Sequence, residues 1–201
     1  NPIDWSRFLD KENIHHDDKY LLSVAAHYPH KNLLTLLQAY AKISQLIPEY
    51  KLLLVGQLSS NLSDRVNYNE DIEKLICDLD LSNKVKILGF LSDAQLASYY
   101  SNASLFVFPS LFEGFGMPPV EALGFGLPVV TTRCGSLYEV TKGLAEYVID
   151  PLDANELSLL ILNTLKKNQV IDFQDINAKN LRDFYSPYRI ASIYLKLVNK
   201  Y

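Results

Sequence analysis

The chain has 201 residues, of which 48% are apolar, 11% aromatic and 21% charged. Those proportions bury one substantial core and exclude a disordered tail or a disulfide-stapled miniprotein. Nineteen basic against 23 acidic residues give a net charge of −4 with no block of like charge, so nucleic acid is not an expected partner.

Residues 1–19 are polar and irregular, with neither the basic nor the apolar region of a secretory signal. They read as a lead-in to a domain over 20–201, in a chain that begins mid-protein without an initiator methionine. His15-His16-Asp17-Asp18 reads as a solvated face of that lead-in. From Tyr20 onward, short branched apolar runs alternate with helical periodicity. Strands are predicted at Tyr20–Ala25, Lys51–Val55, Val85–Leu88, Leu105–Phe108, Pro128–Thr131 and Glu146–Ile149. Between them, Leu33, Leu37, Tyr40 and Ala41 form one helical stripe, and Ile72, Leu75, Ile76 and Leu79 form a cleaner one. The polar run Ser59–Asn69 is read as a mobile loop. Ser92-Asp93 and Asp153 carry residue types that start helices. A last helix is predicted from Tyr188 to Lys200, with Ile190, Ile193, Tyr194 and Leu197 on one stripe. Cys77 and Cys134, 57 positions apart, suit a reduced cytosolic setting, and no apolar run approaches the roughly 20 residues of a membrane-spanning helix.

Repeated strand-helix-strand units imply right-handed crossovers and a Rossmann-like, doubly wound parallel α/β sheet of about six strands. Ligands of such sheets bind beyond the carboxyl ends of the strands, which directs attention to the loops there. The loop after Phe108 reads PSLFEGFGMPPVEALGFGLPVVTT. Pro118 and Pro119 favour a helix start, which places Glu121 in its first turns and leaves Glu113 in the loop ahead. Gly114 and Gly116 allow close backbone approach, and the N–H groups of Phe115, Gly116 and Met117 are available to hydroxyl or phosphate oxygens. Two carboxylates beside a helix N-terminus suit a sugar joined to a diphosphate. The same acids also fit a solvated turn in which Glu121 only complements the helix dipole, and, less well, a glycosidase pair.

Lys31, in SVAAHYPHKN after the first strand, is placed at a helix N-terminus, where it can neutralise a phosphate or remain an ordinary surface lysine. His27 and His30 lack a third convergent metal ligand. The phosphate loop of P-loop NTPases, the G-x-G-x-x-G of dinucleotide enzymes and the G-x-S-x-G elbow are all missing.

These residues together resemble the C-terminal, donor-binding domain of retaining GT-B glycosyltransferases, specifically glycosyltransferase family 4. Asn1-Pro2-Ile3-Asp4 with Phe8 is similar to the family's N-G-[IV]-D-x-x-x-F entry from the interdomain linker, with Pro2 for glycine. His30-Lys31-Asn32 is similar to its P-x-K-[GN] helix start, and EGFGMPPVEALGFGLPVVTT carries its two glutamates.

The resemblance implies one half of a GT-B fold that holds a GDP- or UDP-linked sugar, and the HKN variant leans toward GDP-mannose. It assigns Glu121 to the ribose hydroxyls and Glu113 to the transferred sugar. The N–H groups of the Gly114-Phe115-Gly116-Met117 segment hold sugar hydroxyls and the diphosphate, and Lys31 offsets charge on the departing nucleoside diphosphate without a required metal or other cofactor. The family's usual arginine after the first strand is Ala26 here, so either His27 substitutes or Lys31 acts without it. The acceptor site belongs to an N-terminal domain outside this chain, which alone binds donor but transfers little. The last helix is expected to pack toward that domain. The resemblance implies a cytoplasmic enzyme of glycan or lipid-linked acceptors, with peripheral membrane association of the full-length protein left open. A non-enzymatic nucleotide-sugar sensor and a GT-B epimerase are the competing readings.

Overall fold

The structure is a computed structural model that describes residues 1–10, 12, 14, 19–56, 68–167 and 175–198. Six strands form one parallel sheet: β1 (Lys19–Val24), β2 (Tyr50–Val55), β3 (Val85–Gly89), β4 (Leu105–Phe108), β5 (Val129–Thr132) and β6 (Glu146–Val148). Their order is β3-β2-β1-β4-β5-β6, so the chain reverses its direction of travel between β1 and β4. Register is carried by apolar residues on neighbouring strands, such as Leu21 opposite both Leu52 and Leu105. The expected doubly wound α/β sheet is present, with each strand within two residues of its predicted bounds.

Because side chains alternate across a strand, the two faces build two cores. Leu21, Leu52, Leu54, Leu105, Val107 and Val130 face α1 (Leu33–Ile43), α2 (Tyr68–Asp78) and α6 (Ala154–Lys166). Leu22, Phe106, Phe108 and Val129 face α3 (Asp93–Asn102), α4 (Met117–Gly124) and α7 (Ile176–Phe184). The helix starts follow their caps. Ser92 and Gln95 exchange reciprocal bonds at α3, and Asp153 accepts from the N–H groups of Asn155 and Glu156 at α6. α5 (Leu137–Val140) is a single turn that the sequence periodicity does not reveal.

The lead-in is not irregular at its start. Asp4 caps a 3-10 helix at Trp5–Phe8, and Ile3 and Phe8 are buried in the same core as α3 and α4. The Ile3 N–H donates to the Tyr185 carbonyl at 2.8 Å. The His15–Asp18 run and the predicted mobile loop lie outside the described residues, apart from Tyr68 and Asn69, which open α2.

The last helix, α8 (Pro187–Val198), has no buried residue, and Tyr188, Ile193, Tyr194, Leu195, Leu197 and Val198 are exposed. Among the described residues no helix is long and apolar enough to cross a membrane. The cysteines are free.

Candidate functional site

The reversal between β1 and β4 sets the loops after these two strands side by side at their carboxyl ends, the usual ligand position in a doubly wound sheet. Beyond β1 the chain makes a short 3-10 turn, Pro29–Lys31, and enters α1 through Asn32. Asn32 takes the left-handed conformation, φ 59°, which asparagine tolerates better than other non-glycine residues. Its amide donates to the carbonyls of Pro109 (3.1 Å) and Pro151 (2.7 Å), and its Oδ1 accepts from the Thr35 hydroxyl (2.7 Å). In the other direction the Leu111 N–H (2.7 Å) and the Ser110 hydroxyl (3.1 Å) donate to the His30 carbonyl. The bonds with Pro109, Ser110 and Leu111 staple the loop after β1 to the loop after β4, and the Pro151 bond ties it to the segment after β6. The staple brings Lys31 against Glu113, whose Oε1 accepts from the lysine Nζ. Both side chains are mostly covered, 16% and 11% exposed, and Lys31 also lies 5.5 Å from the Phe108 ring centroid.

Beyond Glu113, the glycine-containing loop is held from one side by residues 135–136. The Ser136 hydroxyl is 3.0 Å from the carbonyls of both Gly114 and Phe115. Gly135 adopts φ +60°, and a Cβ there would lie 2.2 Å from the Glu113 carbonyl oxygen, so only glycine fits. Gly116, at φ +84°, caps α4 and packs against Leu137, so its lack of a side chain serves the protein's own packing. Gly114 differs, because a Cβ there would meet open space. Phe115 turns inward, edge-on to Tyr185 at 5.6 Å. Among the described residues, no hydrogen bond outside the helices and strands uses the N–H of Phe115, Gly116 or Met117. Pro118 and Pro119 sit in the first turn of α4, as expected.

Glu121, the fifth residue of α4, takes no part in the Lys31–Glu113 pair and has partners of its own. It is 3% exposed, and both oxygens are engaged: Oε1 accepts from Arg7 Nη2 at 2.6 Å and Oε2 from the Tyr100 hydroxyl at 3.0 Å. Burial pushes its carboxyl above the ordinary carboxylate range, and the Arg7 guanidinium and the Tyr100 hydroxyl offset part of that rise. Tyr100, fully buried, has its hydroxyl held well above its ordinary range by burial and by the Glu121 carboxylate. Sequence reasoning missed Arg7, Tyr100, Ser110 and Ser136, and saw Asn32 only as part of a helix-start motif. Arg7 is 114 positions from its partner, and no local pattern links them.

Position 26, where the resemblance places an arginine, is an exposed alanine. His27 does not replace that charge. Its ring is turned inward at 1% exposure, Nδ1 lies 2.9 Å from Asn69 Oδ1, and burial lowers its pKa, which favours the neutral imidazole. His30 is exposed and stacked on Tyr28, so the two histidines do not converge.

Residues 6–184 match the protein family described as glycosyl transferases group 1. The chain belongs to that family. The glycosyl transferases group 1 domain is 32% identical over 148 residues to the O-antigen chain mannosyltransferase RfbU of Salmonella typhimurium, covering 74% of this chain and 38% of that protein. It is 35% identical over 153 residues to the O-antigen chain mannosyltransferase B of Escherichia coli, covering 73% and 37%. The chain therefore spans well under half the length of these relatives. Among solved structures, the sucrose-phosphate synthase of Thermosynechococcus elongatus superposes with a TM-score of 0.77 at 27% identity, covering 94% of this chain and 48% of that one. HepE of Anabaena, solved in complex with UDP-glucose, shares the fold at a TM-score of 0.77 and 23% identity, covering 92% and 50%.

Proposed function

We propose that this domain binds the nucleotide-sugar donor of a retaining hexosyltransferase, and that the hexose is mannose. The observation that carries the reading is the Lys31–Glu113 pair, a cation and an acceptor side by side in the loops at the β1/β4 reversal. A diphosphate bound there would draw Lys31 from Glu113, leaving the carboxylate free to accept sugar hydroxyls. As the bond between the sugar C1 and the diphosphate oxygen breaks, negative charge grows on the departing nucleoside diphosphate. Lys31 and the N–H groups of Phe115, Gly116 and Met117 stabilise that charge, and no metal is needed in this scheme. With Ala26 uncharged and His27 turned inward, Lys31 is the cation that the loop after β1 offers for this task. Glu121, in the first turns of α4, accepts ribose hydroxyls on the acceptor positions that Arg7 and Tyr100 do not use.

Two mannosyltransferases among the relatives support mannose as the transferred sugar and favour transfer over a sensor or an epimerase. The acceptor, and a domain that binds it, belong to the portion of such enzymes that this chain does not span. The full enzyme is proposed to act in the cytoplasm, at the inner face of the membrane when its acceptor is lipid-linked. Calorimetric titration with UDP, GDP and their mannose and glucose conjugates, in EDTA, tests the donor site. Saturable binding of GDP-mannose that is lost in Lys31→Ala supports the reading, and a folded protein that binds none of these ligands refutes it.

A further inference from the structure

The start of the chain is fastened to the helix that carries Glu121 by more than one contact. Ile3 and Phe8 are buried, the Phe8 ring meets Phe125 edge-on at 5.3 Å, and the Trp5 ring lies where a Cβ on Gly124 would clash at 2.2 Å. Within that docked segment, Arg7 reaches Glu121 at 2.6 Å, with its guanidinium 4.3 Å above the Phe8 ring. Tyr100 is inaccessible, whereas the Arg7 side chain is 30% exposed, so the carboxylate is held from inside by a hydroxyl and from the outer side by a cation.

We propose that Arg7 is a positioning residue for the nucleotide's ribose: it fixes the orientation and charge of Glu121, making ribose recognition depend on the docked lead-in. This rests on the reading that Glu121 accepts the ribose hydroxyls. A carboxylate has about four acceptor positions, and Arg7 and Tyr100 take two, leaving one on each oxygen for a diol. Among the described residues, the charged and titratable groups acting on Glu121 are Arg7 from the 3-10 helix and Tyr100 and Asp93 from α3. Arg182 of α7 bonds to the Gly124 carbonyl at the far end of α4. Burial and Asp93 disfavour the ionised carboxylate, while Arg7 and Tyr100 favour it. Removing the cation therefore raises the pH at which Glu121 loses its proton. The protonated acid has fewer acceptor positions for a ribose diol.

The test measures affinity for GDP, UDP and their 2′,3′-dideoxy counterparts across pH 5.5–9 in wild type, Arg7→Gln and Arg7→Lys, with folding confirmed by circular dichroism. A Glu121 carboxyl titration by NMR runs beside it. In Arg7→Gln the pH midpoint of ribonucleotide binding is expected to rise, and each unit of rise reads as about a tenfold loss of affinity below the wild-type midpoint. Dideoxynucleotide binding stays unchanged, and Arg7→Lys restores most of the ribonucleotide affinity. A pH-independent loss shared by both nucleotide classes would show a merely structural arginine and overturn the inference. Tighter ribonucleotide binding in Arg7→Gln would show that the guanidinium competes with the ribose, and overturns it too. Absence of nucleotide binding in the wild type would instead sink the donor-site reading itself.

Discussion

Replacing Asn32 by alanine removes one fastening of the loop after β1 and leaves the bonds from Leu111 and Ser110 to the His30 carbonyl, and its cost follows from the geometry. The side chain makes three hydrogen bonds, two given to carbonyls and one accepted from Thr35, in a residue only 6% exposed. At about 1 kcal/mol net for each, their loss costs about 3 kcal/mol. Alanine must also hold φ 59°, which adds about 1 kcal/mol. Asn32→Ala is therefore expected to lose about 4 kcal/mol and Asn32→Gly about 3 kcal/mol, because glycine loses the bonds but accepts the backbone. Urea unfolding at constant slope measures both. The consequence for function is separate: with the loops held only through the His30 carbonyl, the Lys31–Glu113 geometry loosens, and donor affinity falls in both variants. Equal losses in the two variants would refute the backbone part of the argument. Losses under about 1 kcal/mol in both would refute the staple.

Glu113→Gln frees Lys31 from its partner, so binding of the bare nucleoside diphosphate is expected to hold or strengthen severalfold while the advantage of the sugar conjugate disappears; calorimetry with GDP and GDP-mannose checks the opposite signs. Gly135→Ala forces a Cβ against the Glu113 carbonyl at φ +60°, and a loss of at least about 2 kcal/mol in urea unfolding is expected from clash and strain together. Because burial raises the Glu121 pKa above its ordinary value of 4.5, the folded chain holds this proton to higher pH than the unfolded chain. Its contribution to stability is thus full below about pH 4.5 and declines as pH rises through the folded-state value. Tyr100→Phe removes a donor to the carboxylate and should carry that decline to higher pH, which urea midpoints measured at successive pH values will show; a decline displaced to lower pH would contradict it. On α8, Ile193→Ser should change stability by under about 0.5 kcal/mol, since no residue of that helix is buried.

The strands were legible because each is a short apolar run bounded by turn residues, and Leu105–Phe108 has its predicted bounds. The parallel, doubly wound arrangement followed from their alternation with helices. Lys31 and Glu113 were visible as chemistry-bearing residues in two loops, and the sheet order then set those loops beside each other. Pairing of residues 82 positions apart is a property of strand order and of the Asn32 staple, neither of which local periodicity encodes.

Other features belonged to the tertiary structure alone. The lead-in read as irregular because Ile3, Trp5 and Phe8 have no repeating period, yet each finds its own gap between α3, α4 and the segment around Tyr185. The ionic neighbourhood of Glu121 needed Arg7 and Tyr100 delivered by two other elements. His27 was a candidate to substitute for the family's arginine, and only its burial against Asn69 withdrew it. Sequence by itself determined which residues have the chemistry and which segments become strands or helices, since those depend on side-chain type and short-range spacing. Tertiary structure decided which of them face each other and which are removed from water, because proximity and desolvation arise only when distant segments pack.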